Sequence, residues 1–235
     1  MTSHMDWTYN TVWFDQIPQS KFMQFDWAEK ASLDAALLAD VEYLIVWHHK
    51  NKEENLANLP SIEKLKFFEL NWSSTISFTG VAKYVELKRL ELHYCTKLES
   101  TDGIAQLSSS LEQLHIHTCK KLKITEELSS LKELRVLRLN SCGDIASLDF
   151  LKHLPHLIDF RFVGTNIADG NLDPILEHPT ICSLGSFDKR HYNRTIAEIE
   201  AALQDRRSKL TLKTIVESNR ENHAWPASTD SRKNG

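Results

Sequence analysis

Apolar residues along this chain fall into a short, recurring frame. Leu87/Leu90/Leu92/Cys95, Leu111/Leu114/Ile116/Cys119 and Leu134/Leu137/Leu139/Cys142 share the spacing Leu-x-x-Leu-x-Leu-x-x-Cys. Looser copies run through Val41/Leu44/Val46, Leu65/Phe68/Leu70/Ser73, Leu157/Phe160/Phe162/Thr165 and Pro179/Cys182/Leu184. The copies start at 41, 65, 87, 111, 134, 157 and 179, so each spans 22 to 24 residues. Alternation at the Leu-x-Leu centre predicts a strand with one buried face. Apolar residues about three apart follow each strand, as in Ile145, Leu148, Leu151 and Leu154 after Cys142. They predict a helical turn that returns the chain. No single unit could bury this much apolar surface, whereas stacked units share one core.

A register of this kind with a period in the twenties resembles the leucine-rich-repeat family over residues 41–187, and its tidy length resembles the short bacterial, internalin-like class. The resemblance implies an α/β solenoid: a curved parallel sheet of leucine-rich repeats, short helical turns on the convex side, and a cap at each end. Residues 1–40 fit the frame poorly and are rich in aromatics (Trp7, Tyr9, Trp13, Phe14, Phe22, Phe25, Trp27). They predict an N-terminal cap with a helix over 28–40 and an irregular extra strand through Phe22, Phe25 and Trp27, since an end repeat leaves one face without a neighbour. Residues 188–217 predict a C-terminal helical cap. Thr195 and Glu198 there have capping-box spacing ahead of Ile196, Ile199 and Leu203. Residues 218–235 are polar and aperiodic, which predicts a disordered tail.

The frame also assigns the residues that face outward. The third, fifth, seventh and eighth positions of each repeat belong to the concave sheet face or its rim, and equivalent positions form rows across neighbouring strands. Tyr43, Trp47, Phe67, Trp72 and Tyr94 put an aromatic group on a face expected to be wet, as at an interaction site. The competing expectation is that the N-terminal segment folds over them. Farther along, the fifth position runs Glu69, Glu91, His115, Arg138, Arg161, an order from acidic to basic that suits a complementary partner. A screened, solvated face is the alternative. His93, His115 and His117 converge beside Glu91; a shared zinc ion is conceivable there, but surface hydrogen bonding is the favoured expectation and no metal site is assigned.

Composition narrows the function classes. A net charge of −4 and a pI near 6.3 give no pull towards nucleic acid or anionic membrane. No run of 18 apolar residues is present, and the N-terminus lacks the basic start and apolar core of a signal peptide. Cys95, Cys119 and Cys142 hold the ninth repeat position and Cys182 a core position, as expected of buried thiols in a reducing cytoplasm. Gly-rich phosphate loops, His-Glu-x-x-His, Cys-x-x-Cys and calcium-loop patterns are missing from the sequence, and the seven glycines give a dinucleotide fold little to build on. The expectation is therefore a cytoplasmic, non-enzymatic module without cofactor that binds a protein on its concave face. An immunity protein that neutralises a toxin fits that description; a regulatory or scaffolding subunit, or a delivered effector, are the alternatives.

Overall fold

A computed structural model describes Val12, Phe14, residues 17–27 and residues 38–209, with side chains up to Arg206. Its centre is one eight-stranded sheet in which every neighbouring pair is parallel and the strands follow chain order. They are β1 (Phe22–Asp26), β2 (Tyr43–Trp47), β3 (Phe67–Asn71), β4 (Arg89–His93), β5 (Gln113–His117), β6 (Val136–Asn140), β7 (Asp159–Arg161) and β8 (Ser183–Gly185). Such sequential parallel order needs a return crossing after each strand. Four of the crossings contain a 3₁₀ turn: Val81–Lys83, Ile104–Leu107, Glu126–Ser130 and Asp149–His153. The architecture is solenoid-like, with strands on one side and turns on the other.

Register explains why this chain settles there. Leu44, Phe68, Leu90, Leu114, Leu137, Phe160 and Leu184 are partners in one continuous row, flanked by Val46, Leu70, Leu92, Ile116 and Leu139. All point to one side and join a single core with Leu107, Leu128 and Leu151 from the turns. A slip of one residue would move each leucine onto the opposite face, so burial fixes the register. Gly80 follows from the same close stacking. Its φ is +99°, and a Cβ there would lie 2.4 Å from the Ala57 backbone nitrogen, so only glycine fits.

The ends correct the sequence expectations in two places. The extra strand is regular, pairing along its whole length with β2, and Phe22 and Phe25 lie on opposite faces of it. The frame of the last copy slips by two residues: Leu184, not Cys182, partners Phe160, because the return into β8 carries a true helix, α1 (Asp173–Glu177). Cys182 packs instead with Val136 and Ile158 in a small separate cluster. The N-terminal helix expected over 28–40 lies outside the described residues, apart from its end at Leu38, as do residues 210–235.

Helix α2 (Ile196–Lys209) closes the other end. The Thr195 N–H donates to the Glu198 carboxylate at 2.8 Å and the Glu198 N–H donates to the Thr195 hydroxyl at 3.2 Å, the reciprocal bonds of a capping box. Ile196, Ile199 and Leu203 join the main core. Arg206 reaches back to donate to the Leu176 carbonyl at 2.9 Å and the Ile181 carbonyl at 2.8 Å. Among the described residues no helix is long and apolar enough to cross a membrane.

Candidate functional site

The sheet face opposite the core divides into zones of different exposure. Residues at the first strand position form a covered row: Phe67, Arg89, Gln113, Val136, Asp159 and Ser183 are all buried. Phe67 lies under Phe14 and Ile17, with its ring 5.6 Å from that of Phe14 and stacked on Tyr43 at 3.9 Å. The N-terminal segment thus covers this part of the face, and Phe67, expected in the exposed aromatic group, belongs to its own small core. Burial also raises the Tyr43 phenol above its ordinary pKa, with a further push from Glu69.

Charged groups in the next row are paired within the chain. Arg89 Nε donates to the Glu91 carboxylate at 2.7 Å, and His93 Nε2 lies 2.9 Å from its other oxygen. Burial alone would raise the Glu91 carboxyl; Arg89, the His93 hydrogen bond and His115 outweigh that and hold it well below the usual carboxylate range. Glu69 shows the opposite balance. Burial raises its pKa, the Glu91 charge adds to the rise, and the bond from the Asn71 amide offsets only part of it. Burial depresses His115 to about 3, so its ring is neutral at neutral pH. Fully buried Asp159 takes Arg138 at 3.2 Å and Arg161 at 3.0 Å.

These pairs correct the picture of a solvated acidic-to-basic gradient. Glu91 and Arg138 are buried, and each end of the supposed gradient is neutralised locally, by Arg89 and by Asp159. Reading the fifth repeat position alone overlooked both neutralising partners. The signal was available: Arg89-x-Glu91 and Asp159-x-Arg161 place opposite charges two residues apart, on the same face of one strand.

Beyond the strand ends the face becomes accessible, in an unusual backbone conformation. His48, Trp72, Tyr94, Thr118 and Ser141 all have φ between +51° and +58°. Each N–H in this series donates to the chain one strand further on, as in Trp72 to the His93 carbonyl and Tyr94 to the His117 carbonyl, both at 2.9 Å. Beneath the bend the cysteine thiols serve the same turn: Cys119 Sγ donates to the His117 carbonyl at 3.6 Å and Cys142 Sγ to the Ile116 carbonyl at 3.4 Å. Burial pushes the Cys142 thiol up to about 12, which leaves it an inert proton donor.

The rim side chains form one aromatic stack. Trp72 is parallel to Tyr94 with ring centres 5.1 Å apart, and it also stacks on Trp47 at 5.4 Å and His48 at 5.5 Å. Tyr94 meets His117 edge-on at 5.4 Å. Trp72 and Tyr94 are 44% and 40% exposed, against 2% for Phe67. The structure therefore joins Trp47, Trp72, Tyr94, His93, His115 and His117 into one surface, leaves Tyr43 and Phe67 under the N-terminal segment, and sets Arg138 and Arg161 apart around Asp159. A scan of the sequence against protein-family models finds no match, and a search of curated proteins finds none that is significantly similar.

Proposed function

We propose that this chain is a leucine-rich-repeat module that binds a protein partner on the concave sheet face, with Trp72 and Tyr94 as anchors and no chemistry of its own. The reading rests on one observation: two large aromatic side chains are held side by side in solvent, on backbone that ordinarily excludes them. A non-glycine residue in the left-handed region costs roughly 1–2 kcal/mol. An aromatic pair returns about 0.5–1.5 kcal/mol beyond its buried area. Asparagine or glycine would suit the same bend at lower cost, so the choice of Trp and Tyr is explained by what they offer a partner. Rigid aromatic groups give large contact area with little side-chain entropy to lose, and they dominate binding hot spots.

Paired charges beside the anchors fit the same role. Glu91 with Arg89, and farther along Asp159 with its arginines, are paired in the sheet and leave the face with little net charge, which favours register over long-range attraction. An immunity protein that blocks a toxin by occupying it would need nothing more.

Site-specific photo-crosslinking tests the reading. A photoreactive phenylalanine analogue at position 72 or 94 is expected to capture one discrete partner in the source cell, and the same group at Lys152, among the return turns, is expected to capture none. Capture from position 152 but not from 72 or 94 would assign binding to the opposite surface.

A further inference from the structure

We propose that Glu91, His93 and His115 form a site for a divalent transition-metal ion of the zinc class. Their potential ligand atoms all lie within 4.8 Å of one another. His93 Nε2 is 2.9 Å and His115 Nδ1 is 3.8 Å from the same Glu91 oxygen, Oε2. Arg89 occupies the other oxygen, which leaves Oε2 as the one both imidazoles face. Zinc binds nitrogen at about 2.1 Å, which sets the ring centres of two tetrahedral imidazole ligands roughly 5 Å apart. The rings of His93 and His115 are 5.0 Å apart and nearly perpendicular.

Strand pairing holds this arrangement in place. Glu91 and His115 are register partners on β4 and β5, and His93 is two residues from Glu91 on the same face. One carboxylate and two imidazoles are a donor set found in catalytic and regulatory zinc sites, with a fourth position left for water or a partner's ligand. Glu69, the register partner of Glu91 on β3, adds a second carboxyl to the neighbourhood.

One contact opposes the ion. The Asn140 Nδ2 amide lies 3.4 Å from His115 Nε2, and its orientation is fixed because Asn140 Oδ1 accepts the Val163 N–H at 3.0 Å. That amide donates to Nε2 and so places the ring proton on Nδ1, the nitrogen facing Glu91. Metal binding through Nδ1 requires the proton to move to Nε2, against a donor. Asn140 therefore weakens the site, and a carboxylate in its place would accept the Nε2 proton and still accept the Val163 N–H. A carboxylate behind a ligating histidine is a recurrent device for tightening zinc.

The test is a titration of the untagged full-length chain with Zn²⁺ in competition with a chromophoric chelator, repeated with Co²⁺ to read the visible spectrum of a four-coordinate site. One equivalent is expected to bind. His93→Gln and His115→Gln are each expected to weaken binding by at least about ten-fold, and Asn140→Asp to tighten it by about ten-fold. His117→Gln, a neighbouring imidazole outside the ligand set, is expected to change the affinity by less than about three-fold. Because Asn140→Asp is a gain, it reads the site even if a histidine variant loses its fold. Failure of the parent chain to bind one equivalent, or an Asn140→Asp chain that binds no tighter, would overturn the proposal.

Discussion

Trp72 and Tyr94, on neighbouring strand ends, stack 5.1 Å apart with 12° between their ring planes, and both stand on left-handed backbone, at φ +52° and +56°. Local conformational preference and side-chain choice disagree at these two positions. Such disagreement concentrates where function selects the residue.

The first consequence is a separation of stability from binding. Tyr94→Asn should relieve left-handed strain while losing one ring stack, two effects of similar size and opposite sign. The variant is expected to unfold within about 1 kcal/mol of the parent in urea and to bind the partner poorly. A large loss of stability would place Tyr94 among the structural residues.

Burial and pairing, rather than the sheet face a residue occupies, should set the cost of truncation. Leu114→Ala opens a cavity in a fully buried row and is expected to cost about 2–5 kcal/mol. Glu91→Ala is expected to cost a comparable amount, about 3 kcal/mol, because it removes the carboxylate that buried Arg89 meets. His117→Ala, on the same face but not ion-paired, is expected to cost about 0.5 kcal/mol or less. Equilibrium denaturation of the three variants checks the order.

Leu114 and Glu91 mark the extent to which the fold and the site were legible. The alternation of leucines specified β2 to β7 in the right register, because a two-residue period with one buried face leaves a single solution. Where the return segment changed from a 3₁₀ turn to α1, the count failed and Leu184 was misplaced. On the outer face the frame named the residues correctly but not their burial. Phe67 is covered by Phe14 and Ile17, which lie outside the repeating frame, and no periodicity within 41–187 encodes that contact. Glu91 and Arg138 are covered and neutralised through pairs that a row-by-row reading does not see. The left-handed rim has no signature in Trp72 or Tyr94 themselves, since neither residue favours that conformation.

Acid should destabilise the protein in two stages. The pKa of His115 is lowered on folding, so its contribution is complete above the unfolded value of about 6.5 and drains as pH falls, when the unfolded chain takes up the proton first. Glu91 is also lowered, so its contribution is present above about 4.5 and is lost below that. Glu69 is raised and works in the opposite sense, losing stability as pH climbs through its folded value. Between pH 6.5 and 4.5 the histidines set the downward slope, with His117 and His178 adding to His115 because burial lowers them too, and Glu69 offsets part of it from about 4.5 upward. His115→Gln is expected to flatten that part of the stability curve by at most about 1.4 kcal/mol per pH unit and to leave the region below 4.5 steep. An unchanged slope between 6.5 and 4.5 would show that His115 is charged in the folded protein.

Capping at the far end is separable from all of this. Thr195→Ala removes the hydroxyl that accepts the Glu198 N–H and donates to the Glu198 carboxylate, and leaves the reciprocal bond from the Thr195 backbone N–H. It is expected to lower stability by about 1 kcal/mol, read as a shift of the thermal midpoint, without altering partner binding.

Calorimetric titration of the crosslinked partner into three folded chains, the parent, Trp72→Ala and Lys152→Glu, tests the central claim most directly. Trp72→Ala is expected to cost about 2 kcal/mol or more, roughly a thirty-fold weaker Kd, and Lys152→Glu to bind as the parent does. Parent-like binding by Trp72→Ala together with loss of binding in Lys152→Glu would contradict it.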